Sequence, residues 1–137
     1  LAIMTSKISF LNEGLYYYVQ RDSSIMTSAF NEKQLDIFKV LNNVKDKFIE
    51  NDLYKKYEKE IEYLYITHLL RSASYRFISV NNYKELLNRI NLIFKKDYPN
   101  WHKNIYYKKS SFKLKLICNL SYYRLYTILK IIKKIKK

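Results

Sequence analysis

Apolar positions along this chain recur mostly at helical spacing, and the departures from that spacing come early. Residues 1–7 read as the end of a helix. Residues 8–11 and 15–20 are short runs rich in Ile, Phe, Tyr and Val, a composition that predicts two β-strands. Asn12, Glu13 and Gly14 lie between them as turn chemistry, with Gly14 able to take a positive φ. An isolated hairpin is marginal in water, so these strands must pack on helices or belong to a larger sheet. Residues 21–28 are polar and loop-like.

From there the pattern turns helical. Asn31 followed by Gln34 is a capping-box pair, and Ile37, Phe38, Leu41, Val44 and Phe48 follow on one face, which predicts a helix over about residues 31–49. Asn51 or Asp52 is the expected cap of a second helix running to about residue 79. It carries two apolar faces: Tyr57, Ile61, Leu64, His68 and Tyr75 on one, and Ile66, Leu70, Ala73 and Phe77 nearly opposite. A helix apolar on two faces sits centrally in its bundle. Asn81 and Asn82 interrupt it. Tyr83, Leu86, Leu87, Ile90, Ile93 and Phe94 then form a third stripe, which Pro99 stops. Ser110 or Ser111 caps a last amphipathic helix over residues 110–137.

The fold expected from these elements is mainly α: an antiparallel helical bundle of about four helices with a short N-terminal β-hairpin. Residues 1–28 would form the tail end of another domain and residues 29–137 a helical domain. A single Gly and a single Pro among 137 residues agree with long regular elements and exclude a turn-rich β-sandwich. The 48% hydrophobic and 17% aromatic content excludes a disordered chain. No apolar run approaches the roughly 20 residues of a spanning helix, and no signal-peptide pattern opens the sequence. Cys118 has no partner for a disulfide and reads as a small core residue in a reducing compartment.

Charge divides the chain. Through Asp97 there are 15 basic and 12 acidic residues; from Tyr98 onward there are 11 basic and no acidic ones, which accounts for most of the net +14. The last helix therefore combines an apolar stripe with Lys130, Lys133, Lys134, Lys136 and Lys137. Such a helix can lie on an anionic leaflet with these lysines facing the membrane, or pack its stripe on the bundle and leave only the terminal tail free.

Candidate chemistry is sparse. His68 on an apolar stripe reads as a core histidine, and His102 is isolated, so no metal-ligand spacing exists. Glu58 and Glu62 share a helix face among Lys55, Lys56 and Lys59, which reads as a solvated charged face. No Gly-rich phosphate loop, Asp-x-Asp pair or nucleophile–base set occurs. Arg21 with Ser23 and Ser24 could bind a phosphate through the guanidinium fork and hydroxyls; equally, Arg21 could pair with a carboxylate while the serines fill a loop. Tyr16, Tyr17 and Tyr18 alternate sides of a strand, where stacking and core roles both fit. Trp101, just after Pro99, fits an anchor between helices.

Two blocks carry a resemblance. The segment Leu15-Tyr16-Tyr17-Tyr18-Val19-Gln20-Arg21-Asp22-Ser23-Ser24-Ile25-Met26 resembles the end of the catalytic domain of bacterial family 2 glycosyltransferases. The segment Tyr98-Pro99-Asn100-Trp101-His102-Lys103-Asn104-Ile105-Tyr106-Tyr107 resembles a feature further along the same proteins. The resemblance implies the C-terminal, non-catalytic part of an enzyme that moves a sugar from a nucleotide-sugar donor to a cell-surface glycan acceptor. It implies that Arg21, Ser23 and Ser24 lie near the donor diphosphate. It assigns the divalent metal, the nucleotide sugar and every catalytic residue to a domain upstream, so no cofactor and no turnover are expected of these residues alone. It implies a cytoplasmic protein, peripheral on the inner face of the cell membrane. The competing reading is a stand-alone basic helical module for nucleic acid or anionic membrane. Nucleic acid is the poorer partner, because lysine dominates over arginine and no recognition-helix signature appears. A bundle that assembles into a homo-oligomer is the third reading.

Overall fold

The computed structural model describes Lys7, Ser9, residues 12–14 and residues 32–135. The expected strands, the loop with Arg21, Ser23 and Ser24, and the domain boundary at residue 28 lie outside the described residues. What is described is mainly α, and no strand occurs among the described residues.

A 3-10 turn over Glu32–Leu35 leads into α1 (Asp36–Glu50). The expected cap, Asn31, lies outside the described residues, and Leu35 at the start of α1 makes no side-chain cap. α1 ends at Asn51 with Asp52 in the left-handed region at φ 55°. The Leu53 N–H donates to the Phe48 carbonyl at 2.8 Å and the Asp52 N–H to the Ile49 carbonyl at 3.0 Å, a Schellman motif without its usual glycine. Asn51 and Asp52 therefore close one helix instead of opening the next, and the second helix begins only at Glu58.

Residues 58–77 form one continuous rod of three pieces: α2 (Glu58–Tyr65), a π-helix (Ile66–Ala73) and α3 (Ser74–Phe77). Its buried side chains recur every four residues. Ile61, Tyr65, Leu69, Ala73 and Phe77 form one row, and Glu62, Ile66, Leu70, Ser74 and Ile78 form the next. In a pure α-helix four residues overshoot a full turn by roughly 40°, so these rows would wind around the rod. A π turn holds more residues than an α turn and undershoots instead. Mixing the two keeps both rows facing one core. This corrects the two-faced pattern expected at α spacing: Leu64 and His68 are exposed, and His68 is no core histidine. Glu62, expected in a solvated face, is buried.

The rod is the centre of the fold, as its apolar content predicts. α1 and α6 (Phe112–Tyr122) pack against the π-helix, and α4 (Tyr83–Asp97) packs against α3. A 3-10 turn at Trp101–Lys103 and α5 (Ile105–Lys109) bring the chain back against α2. The expected last helix is two helices. α6 (Phe112–Tyr122) starts at Ser111, whose Oγ accepts from the Leu114 N–H at 3.4 Å. It ends with Arg124 at φ 60°, where the Leu125 N–H donates to the Leu120 carbonyl at 2.9 Å. α7 (Tyr126–Ile135) then folds back onto α6.

Candidate functional site

Two buried polar arrangements and one exposed surface stand out from the apolar core. The first arrangement centres on Asn104. Its Oδ1 accepts from the backbone N–H groups of Tyr106 at 2.9 Å and Tyr107 at 3.2 Å, capping α5. Its Nδ2 donates to the Lys59 carbonyl and to Glu62 Oε2, both at 2.8 Å. All four bonding positions of the amide are used. Lys59 Nζ lies 3.6 Å from the same carboxylate oxygen of Glu62. Beside it Trp101 is buried among Phe94, Tyr107 and Tyr122, with ring centroids at 6.1, 4.8 and 5.4 Å. Tyr98, Trp101 and Asn104 of the sequence block are thus all buried, and the block anchors α4, α5 and α6 to the rod.

The second arrangement ties the rod to the last helices. Ser121 Oγ donates to Ser74 Oγ at 2.7 Å, and Ser74 Oγ donates to the Leu69 carbonyl five residues back at 3.0 Å. Asn91 Nδ2 reaches the Ser121 carbonyl at 3.4 Å and the Tyr126 hydroxyl at 3.1 Å. The Leu69 carbonyl lies inside the π-helix, so Ser74 of the same rod bonds the irregular backbone there, and Ser121 links Ser74 to α6 across the core. No periodicity argument could find this chain of small polar residues, because each occupies an apolar face.

The Cys118 thiol is fully buried, and burial pushes it up to about 12, so it is a protonated core group. Burial likewise raises the Tyr65 and Tyr107 phenols to about 12 and the Tyr98 phenol further. Each is neutral in the fold but ionises more easily in the unfolded chain, where the ordinary values are 10.0 for tyrosine and 9.0 for cysteine. Their contribution to stability is therefore complete below pH about 9 and is lost as pH rises from there towards about 12. Urea unfolding followed at stepped pH is expected to show this alkaline decline; stability that stays level through pH about 11 would contradict it. Among the described residues no group of His, Cys, Asp and Glu could hold a metal ion.

The exposed surface is on α7. Leu125 just ahead of it, then Ile128, Ile131 and Ile135, are 47%, 46%, 52% and 78% exposed, whereas Leu129 is fully buried. The first four fall on one side of the helix at i, i+3, i+6 and i+10 spacing, so α7 turns only its other side to the core. No helix among the described residues is long and apolar enough to cross a membrane. Of the lysines expected to face a membrane, Lys134 is exposed. Lys130 Nζ sits 3.8 Å from the Tyr83 ring centroid. Lys133 Nζ donates to the carbonyls of Tyr75 at 2.7 Å and Arg76 at 3.2 Å, at the end of the rod. Lys136 and Lys137, like Arg21, Ser23 and Ser24, lie outside the described residues.

A groove of about 620 Å³ runs between α1 and the π-helix, lined by His68, Ser72 and Arg76 over an apolar floor that includes Ile37, Val40 and Phe77. Compared with family models, with curated proteins and with solved structures, the chain matches none. The glycosyltransferase resemblance is therefore carried by the two residue blocks alone.

Proposed function

We propose that this chain is the C-terminal, non-catalytic helical part of a glycosyltransferase that passes a sugar from a nucleotide-sugar donor to a cell-surface glycan, and that it seats the enzyme on an anionic membrane face. The enzyme half of this reading is supported by the blocks around Arg21 and Trp101. The membrane half is supported by one observation: an uncovered apolar strip on α7, within the third of the chain that carries 11 basic and no acidic residues. An interfacial helix combines apolar side chains that enter the headgroup layer with lysines that meet anionic lipid, each contributing about 1 kcal/mol near the surface. The site would lie on the cytoplasmic side, on the inner leaflet of the cell membrane.

Vesicle flotation tests the membrane half. Vesicles rich in phosphatidylglycerol are expected to carry the protein, and vesicles of phosphatidylcholine alone are not. Raised salt should weaken the binding. Paired Ile128→Glu and Ile131→Glu changes sit on exposed positions, so they should leave the fold intact and lower vesicle affinity at least about tenfold. Equal binding to both vesicle types, or indifference to the paired change, would reject the reading. Salt-steep binding of duplex nucleic acid in place of vesicles would favour the nucleic-acid module. The enzyme half is tested by the mass of the native polypeptide detected with an antibody to this region. A product larger by a domain of about 100–200 residues is expected, and one of only 16.8 kDa would remove the enzyme reading.

A further inference from the structure

α6 is apolar on two sides, and only one of them meets the core. Ile117, Cys118 and Ser121 are buried on the side that packs against the π-helix. Phe112, Leu116 and Tyr123 turn the other way, within about 40° of one another at α spacing. Phe112 is 79% exposed, Tyr123 just past the helix end is 63% exposed, and Leu116 between them is half-buried. Lys113 and Lys115 flank this line, each about 80° from its middle and on opposite sides. The Lys115 ammonium is held at the start of the helix by the Lys108 carbonyl at 2.6 Å. Neither Lys113 nor Lys115 has a carboxylate partner among the described residues. An apolar line with a cation on each side is the pattern of a helix that lies in a headgroup layer. α7 follows at once and packs on α6, so this line and the α7 strip belong to consecutive, touching helices.

We propose, resting on the membrane reading of α7, that α6 is a second lipid contact: Phe112, Leu116 and Tyr123 enter the headgroup layer of an anionic bilayer, and Lys113 and Lys115 meet its phosphates. Charge selects this partner. No acidic residue follows Asp97, so nothing on either helix repels an anionic leaflet. The same lysines oppose a second copy of this end of the chain. Two contacts also fix how the protein sits. α6 meets the rod near Ile66 through Cys118 and at Ser74 through Ser121, so it runs in the rod's direction. With α6 in the headgroup layer, the central rod lies along the membrane plane instead of standing on it.

Site-directed labelling of the full chain tests the proposal. The only cysteine, Cys118, is fully buried, so a surface cysteine added at Phe112→Cys, or separately at Ile131→Cys on α7, takes a nitrobenzoxadiazole fluorophore alone. Each labelled protein is mixed with phosphatidylglycerol vesicles, with and without nitroxide-bearing lipid. Blue-shifted emission and nitroxide quenching are expected at position 112 as well as at 131. Phe112→Glu with Tyr123→Glu changes two exposed positions, so it should keep the denaturant unfolding curve of the parent and lower vesicle affinity about tenfold. Phe112→Leu should bind as the parent does. A silent label at 112 on vesicles that quench the label at 131, or affinity unmoved by the paired glutamates, overturns the inference and leaves the α7 contact standing. Silence at both positions removes the membrane reading and this inference with it.

Discussion

Replacing Trp101 by alanine is expected to lower the unfolding free energy by about 3–5 kcal/mol, the range for removing a large aromatic side chain from a closed core. The indole is 1% exposed, and its ring meets Phe94 of α4, Tyr107 of α5 and Tyr122 of α6. Its loss opens a cavity where three helices meet, with no flexible neighbour to refill it. Domains of this size are stable by only about 5–15 kcal/mol, so the change would remove a large share of the total. Trp101→Phe should cost much less, because Nε1 makes no hydrogen bond among the described residues and only volume is lost. Denaturant unfolding of both variants checks this. A Trp101→Ala loss below about 1 kcal/mol would mean the site collapses and the anchor is not needed.

The second large effect is expected at Asn104. Asn104→Ala removes the cap of α5, ordinarily about 1 kcal/mol. It also strips the buried Glu62 carboxylate of its 2.8 Å donor and leaves the Lys59 carbonyl without that bond. A buried charged group that loses its partner costs about 1–3 kcal/mol or more, so the sum is roughly 2–4 kcal/mol. Lys59 at 3.6 Å remains to limit the damage. The control is a double-mutant cycle. With Glu62→Gln already in place the charge is gone, and Asn104→Ala should then cost only about 1–2 kcal/mol. Equal costs in the two backgrounds would show that the carboxylate gains nothing from the amide.

The helix breaks explain where the sequence could be read and where it could not. The third stripe was legible to its ends, Tyr83 to Asp97, because Asn82 precedes it and Pro99 follows it. The break after α1 was placed, but Asn51 and Asp52 were read as opening the next helix, and the break after α6 was missed; both are Schellman turns, built on Asp52 and Arg124. Glycine is the ordinary marker of such a turn, and this chain's only glycine is elsewhere. At α6 the apolar pattern even runs on from Leu120 to Leu125 and Ile128, so nothing local signals the stop. His68 was misplaced for another reason: its face was assigned at 3.6 residues per turn, whereas the rod that holds it averages about four. Glu62 was read as solvated from the lysines near it in sequence, and its buried partner, Asn104, lies 42 residues away. The basic surface was legible as composition but not as geometry. Eleven positive charges after Asp97 follow from counting, but only packing shows that Lys130 and Lys133 turn towards Tyr83 and the rod's terminal carbonyls.

By itself the sequence determined a mainly helical chain, a central second helix, Trp101 as an anchor after Pro99 and a lysine-rich end without acids. Each follows from hydrophobic period, breaker residues or charge, which are properties of neighbours along the chain. Only the tertiary structure decided the π-helix, the buried Ser74–Ser121–Asn91 chain, the capture of Glu62 by Asn104 and the strip of α7 left uncovered. Those depend on groups 30 to 47 residues apart meeting in one core. There the cost of burying a polar atom alone sets the partner, and no periodicity along the chain encodes it.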